Sequence, residues 1–134
     1  MAHQFIAQLN YASQLNFDSS YFLELHQAEW NKSVSIASTF EIEKREGTVQ
    51  EMNFEDEVYD LVFFDAFAPN KQPEMWEKPL LQKVFRTMKK HSVFVTYCAK
   101  GQVKRDLKSV GFKVETLPGP PGKREMVRAL KLIP

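Results

Sequence analysis

Apolar positions along this chain keep a helical period at the start, shorten to runs and alternations near the middle, and then switch between the two. Phe5, Leu9 and Ala12, with Ile6 beside them, recur at helical spacing and predict a helix over 4–15. Asp18, Ser19 and Ser20 offer N-caps to a second helix, whose apolar face (Tyr21, Phe22, Leu25) ends near Trp30. Over 39–44, Phe40 and Ile42 alternate with polar neighbours, the pattern of an edge-type strand. Gly47 turns the chain, Val49 and Met52 fit a short return segment, and 55–57 is an acidic, solvated linker. Leu61, Val62, Phe63 and Phe64 then form an unbroken apolar run, which predicts a central strand covered on both faces. Pro79 suits the first turn of a helix whose face is Leu80, Leu81, Val84, Phe85 and Met88, with Lys89 and Lys90 at its negative end. A second strong strand spans 92–97; Val103, Leu107 and Val110 line the next helix, which Gly111 stops. Strands over 112–117 and 126–132 flank a rigid Pro118-Gly119-Pro120-Pro121-Gly122 loop.

The second half thus reads strand–helix–strand–helix–strand, then a loop and a strand. Helical crossovers imply parallel neighbours, and a helix-free last connection implies an antiparallel final strand. The expected fold is an α/β sheet, mostly parallel with an antiparallel final strand. Its most informative point is where the 61–64 run stops, at Asp65. Pro69 and Pro73 forbid a return to ladder pairing or an immediate helix. The strand therefore delivers a carboxylate, a phenyl ring (Phe67) and a stiff loop to the carboxyl edge of a sheet, where open α/β sheets bind ligands. A lone Asp after a strand is commonly a turn-starting cap. A solvated turn, however, has no need of Phe67 and Trp76 around two prolines, whereas a site for a planar substrate does.

Composition narrows the partners. The chain has 134 residues, enough for one domain with a real core, and its formal charge is +1. With no global basic field, any nucleic-acid contact must come from local clusters. One cysteine, Cys98, excludes an internal disulfide and fits a reducing cytoplasm. No apolar run reaches membrane-spanning length, so no membrane partner is expected. His26 has no carboxylate or cysteine at metal spacing, and no metal is expected. Cys98 has no histidine near it in sequence to activate a thiolate, so a packing role near the site fits it better than nucleophilic chemistry.

Three blocks, D-A-F-A-P-N-K-Q-P-E-M-W (65–76), T-Y-C-A-K-G-Q-V-K-R (96–105) and G-P-P-G-K-R-E-M (119–126), resemble the methyltransferase domain of the MnmC family. The resemblance runs from about Phe40 onward and, more loosely, through the two leading helices. It implies the C-terminal portion of a Rossmann-like class I methyltransferase sheet. The activity implied is methyl transfer from S-adenosylmethionine to the aminomethyl nitrogen of a modified wobble uridine in tRNA. The residues implied as catalytic are Asp65 and Phe67, with Asp65 and Ala66 toward the cofactor. Pro69, Trp76, Lys123 and Arg124 are implied on the substrate side, Trp76 as a support. Lys100, Lys104, Arg105, Lys123 and Arg124 can meet phosphates or simply be solvated. Lys123-Arg124, after the stiff loop, is the better placed pair. Some members of the family carry a fused flavin oxidoreductase; no flavin-binding stretch exists here, and no flavin is expected.

One departure matters. The five glycines, at 47, 101, 111, 119 and 122, form no G-x-G that opens a helix. The expectation is a single methyltransferase-like domain over 1–134, truncated on its N-terminal side, with 1–35 as leading helices. Its apolar strand at 59–65 would then have an open edge, through which the chain can self-associate or which 39–44 can cover. The alternative to the enzyme is a non-catalytic RNA-binding or assembly module of the same descent. A weaker third is a methyltransferase for non-RNA amines.

Overall fold

The helix expected over 4–15 forms as two separate turns, α1 (His3–Ile6) and α2 (Tyr11–Gln14), in the computed structural model, which describes residues 3–133. Asn10 divides them. Its carbonyl accepts from the Ser13 hydroxyl at 2.9 Å and from the Gln14 N–H at 3.0 Å, so the helix restarts there. Short polar side chains make such local bonds at the expense of continuous helix. The second helix, α3 (Ser19–Gln27), starts where the capping residues put it: the Asp18 carboxylate accepts from the Ser20 N–H at 2.8 Å. That bond holds the Asp18 carboxyl below the usual carboxylate range. Two strands follow, β1 (Ser33–Ala37) and β2 (Phe40–Glu43), paired antiparallel with Val34 opposite Ile42. β1 carries the short alternation Val34, Ile36, which was not expected as a strand from the sequence. These elements make one compact unit, ending at Thr48.

A second unit begins at Val49. It contains β3 (Tyr59–Phe63), α4 (Lys78–Thr87), β4 (Met88–Thr96), α5 (Gly101–Val110), β5 (Lys113–Pro118) and β6 (Glu125–Lys131). The strands form one sheet in the order β3-β4-β6-β5. β3 and β4 pair in parallel, while β4–β6 and β5–β6 are both antiparallel. The expectation of a mostly parallel sheet is therefore corrected: this is a small mixed α/β sheet, mostly antiparallel, with a single parallel pair. A helical crossover fixes the direction of the next strand, not its neighbour. β5 does run the same way as β4, but β6 folds back from the 119–124 loop and inserts between them. Burial explains why β6 takes the inner place. Val127 and Ala129 are fully buried, while no residue of β5 falls in the buried class.

The core is built on one face of that sheet. Phe64, Phe94, Val127 and Ala129 meet Leu80, Leu81 and Val84 of α4 and Val103 and Leu107 of α5. Phe94 stacks on Phe64 at 5.4 Å and tilts against Phe112 at 5.5 Å. The prediction that both faces of the 61–64 run are covered is also corrected. Val62 and Phe64 face the core, but Leu61 and Phe63, pointing the other way, are 47% and 76% exposed. β3 is the outer strand of its sheet, and β2 pairs with β1 in a separate two-stranded sheet.

Two charged side chains fasten the later strands. Lys131 is buried; its ammonium donates to the carbonyls of Phe85 (3.0 Å) and Met88 (2.6 Å) and lies 4.7 Å from the Phe85 ring centre. It thereby satisfies carbonyls at the end of α4, where a cation is favoured. On the opposite face Arg128 donates twice to one Glu115 oxygen, at 2.7 and 2.8 Å, across the β5–β6 pair. The guanidinium holds the Glu115 carboxyl below its ordinary range.

Candidate functional site

β3 and β4 run side by side in one direction with Phe63 opposite Val95, so their carboxyl ends open at the same edge of the sheet. The Phe64 N–H donates to the Val95 carbonyl at 2.8 Å as the ladder closes. Two residues beyond the Phe63–Val95 pair stand Asp65 and Tyr97. A cavity of about 470 Å³ opens here. Asp65, Ala66 and Ala68 line it from the β3 side, and Thr96, Tyr97, Cys98, Ala99 and Lys100 from the β4 side. Lys123 reaches it from the β5–β6 loop.

The loop after Asp65 is held by its own chain. The N–H groups of Lys71 and Gln72 both donate to the Ala68 carbonyl, at 2.7 and 3.0 Å. The Gln72 side-chain oxygen accepts from the Phe67 N–H at 3.3 Å. Pro73 opens a 3-10 turn (Pro73–Trp76) that drives Trp76 into the core, edge-on to Phe64 at 5.2 Å. From there the Trp76 indole N–H donates to the Phe67 carbonyl at 2.7 Å. The backbone that carries Asp65 and Phe67 is thus tied to the packed interior, not left as a free turn.

The 119–124 loop is equally constrained. Lys123 donates its N–H to the Pro120 carbonyl at 2.9 Å, and Gly119 donates to the Arg124 carbonyl at 3.1 Å. A Cβ at Gly119 would run into the Lys123 carbonyl, and Gly122 adopts φ +85°, so both positions call for glycine. The turn this produces sends Lys123 toward the cavity. On the β4 side, the Thr96 hydroxyl accepts from the Cys98 N–H at 3.2 Å and bends the chain after Tyr97.

The structure therefore brings together Asp65, Ala66 and Lys123 of the residues singled out in the sequence. Phe67 lies outside the cavity on the adjoining loop, 76% exposed. Pro69 is half-buried in that loop, Trp76 is buried beneath it, and Arg124 is exposed beside Lys123; none of the three lines the cavity. Sequence reasoning left out Tyr97, Thr96 and, as lining residues, Ala68 and Ala99. The register points toward Tyr97: it stands two residues past the last ladder partner of β4, as Asp65 does in β3, and both line the cavity. Among the described residues no hydrogen bond or ion pair engages the Asp65 carboxylate or the ammonium groups of Lys100 and Lys123. Nor is any group of three or more His, Cys, Asp or Glu placed to hold a metal ion. No helix among them is long and apolar enough to cross a membrane.

Comparison with known proteins places this geometry in a family. Residues 3–132 match a family described as S-adenosyl-L-methionine-dependent methyltransferase. The chain is 45% identical over 67 residues, half of its length, to a tRNA 5-methylaminomethyl-2-thiouridine biosynthesis bifunctional protein MnmC from Marinomonas sp.. It is 30% identical over 104 residues, 78% of its length, to the MnmC of Campylobacter hominis. It spans 10% and 15% of these two relatives, respectively. Among solved structures, MNMC2 from Aquifex aeolicus superposes with a TM-score of 0.58 at 29% identity, covering 67% of this chain and 30% of that one. The chain belongs to the S-adenosyl-L-methionine-dependent methyltransferase family and resembles the MnmC methyltransferase domain within it.

Proposed function

We propose that this chain contributes the acceptor side of a methyl transfer to the aminomethyl nitrogen of a modified wobble uridine in tRNA. The observation that carries the reading is the cavity at the shared carboxyl end of β3 and β4, where Asp65 stands uncommitted and Lys123 faces it from a second loop. An amine attacks an alkyl group only when its lone pair is free and aimed in line, so catalysis is chiefly a matter of position. Asp65 accepts a hydrogen bond from the acceptor N–H and turns the lone pair into the cavity. The rigid 65–76 loop keeps that carboxylate in place without an ordering cost at binding. Phe67, exposed on the loop, is available to stack on a base drawn from the anticodon loop, because single-stranded RNA is read by splaying its bases onto rings. Pro69 fixes the loop's course and Trp76 supports it from below. Lys123 and Arg124 meet the phosphates.

S-adenosylmethionine supplies a methyl group on a positively charged sulfur. The residues present fit the reacting end of such a cofactor: Asp65 offers a carboxylate to positive charge, and Ala66 leaves room beside it. They fit its adenosine less well, because no G-x-G turn exists in the chain. That same absence favours a second reading, an RNA-binding module without catalysis. Titration calorimetry with S-adenosylmethionine, followed by transfer assays on aminomethylated and unmodified tRNA, separates the two. With a glycine-rich cofactor loop supplied to the chain, saturable binding with transfer confined to the aminomethylated tRNA is expected. RNA binding with neither would leave the second reading standing, and transfer to simple amines alone would sink both.

Lys123→Ala combined with Arg124→Ala is expected to weaken tRNA binding and flatten its salt dependence, the logarithmic slope falling by roughly 0.7 for each phosphate no longer neutralised. Affinity measured across a salt series checks this; an unchanged slope would return both charges to bulk solvent. The setting we propose is the cytoplasm. We also propose that two copies associate through the open edge of β3. Light scattering after size exclusion should find a dimer, and a monomer at all concentrations would remove that proposal.

A further inference from the structure

We infer that Tyr97 is the surface on which the acceptor's target base lies, and that it selects a planar amine over any other. The inference rests on the functional reading above and deepens it. Asp65 can orient a nitrogen, but a single hydrogen bond does not distinguish a nucleoside amine from a small aliphatic one. A second element within the same cavity must read the flat ring that carries the amine. Phe67 lies outside the cavity, and the rings of Phe64 and Trp76 are spent in the core. Tyr97 is the aromatic side chain that lines the cavity. It is 47% exposed, so much of its surface is open to a ligand, and no described residue engages its hydroxyl.

Its placement follows from backbone register. Phe63 and Val95 are the last partners of the parallel ladder, and Asp65 and Tyr97, each two residues further on, both line the cavity. Each is then held in its turn from behind, Asp65 by the loop bonded to Trp76 and Tyr97 by the Thr96–Cys98 bond. A carboxylate and a ring on adjacent parallel strand ends suit an aminomethyl-pyrimidine, with the amine on Asp65 and the ring against Tyr97. Phe67, on the rim, is left to a neighbouring base of the same RNA.

Stacking of a base on an aromatic ring contributes roughly 1–3 kcal/mol, or about fivefold to 150-fold in affinity. The test is binding of the free nucleoside 5-aminomethyl-2-thiouridine to the full chain, compared with ethanolamine as a non-planar amine. Tyr97→Leu is expected to weaken nucleoside binding roughly fivefold or more, and to leave ethanolamine unaffected. Tyr97→Phe should restore nucleoside binding to within about threefold, since the ring and not the hydroxyl carries the contact. Phe67→Leu should weaken tRNA binding but not that of the single nucleoside. In the wild-type chain with ring-labelled tyrosine, the Tyr97 ring resonances should move upfield as the nucleoside is added, a readout that does not depend on any variant folding. Nucleoside binding that Tyr97→Leu leaves unchanged, with no Tyr97 shift, overturns this inference and spares the functional reading. A wild-type chain that ignores the nucleoside overturns both.

Discussion

Replacing Asp65 with alanine should slow methyl transfer to aminomethylated tRNA by about 10²- to 10⁴-fold, the range for losing a positioned acid–base group. Affinity for the tRNA should move less than about twofold, because the phosphate and stacking contacts lie elsewhere. The rate loss corresponds to roughly 3–5 kcal/mol of barrier, far beyond the worth of a surface carboxylate, and only a group acting on the reacting nitrogen can supply it. Folding is not a confounding factor. Asp65 is exposed, makes no hydrogen bond or ion pair with the described residues, and ends no helix that would need it as a cap. Two further measurements divide its role. Asp65→Asn keeps a hydrogen-bond acceptor without the charge, so it should retain more activity than alanine if orientation dominates. Raising the pH supplies neutral amine from solution and should rescue the alanine variant only if proton removal dominates. A variant with unchanged turnover would exclude Asp65 from the reaction.

Much of this site could be read from the sequence because its parts are local. A strand ending at a carboxylate, two prolines that hold the following loop, and a Gly-Pro-Pro-Gly turn that aims Lys123 each occupy a dozen residues or fewer. Their geometry is set by φ restrictions and turn bonds that composition announces. What could not be read was nonlocal. Tyr97 joins the site only because Val95, two residues before it, pairs with Phe63, and register between distant strands leaves no mark in either one. The order of strands failed for a related reason. Helices between β3, β4 and β5 fixed their common direction, but β6 claimed the place beside β4, and only burial decided that. Periodicity misjudged 61–64 as well. Four consecutive apolar residues look the same whether both faces are covered or one is left open. The N-terminal region gave the opposite error: a helical spacing of Phe5, Leu9 and Ala12 continued across Asn10, where local hydrogen bonds interrupt the helix.

The one-sided burial of the sheet leads to the largest expected effect on stability. Phe94 is fully buried, stacked on Phe64 and tilted against Phe112, so it links β3, β4 and the start of β5 beneath α4 and α5. Phe94→Ala removes a ring from a close-packed interior that cannot collapse around the gap without moving strands, and should cost about 3–5 kcal/mol. Against a total of about 5–15 kcal/mol for an ordinary domain, that takes roughly a fifth or more of the stability. Phe63, one residue before Phe64 in the same apolar run, gives the contrast. Its side chain is 76% exposed on the opposite face, and Phe63→Ser should change stability by no more than about 0.5 kcal/mol. Phe64→Ala, on the core face, should behave like Phe94→Ala. Urea midpoints of the three variants check the pattern at an unchanged m-value. If Phe63→Ser were as damaging as Phe64→Ala, the face that holds Leu61 and Phe63 would have to be buried in solution, which backbone pairing along the edge of β3 does not by itself do.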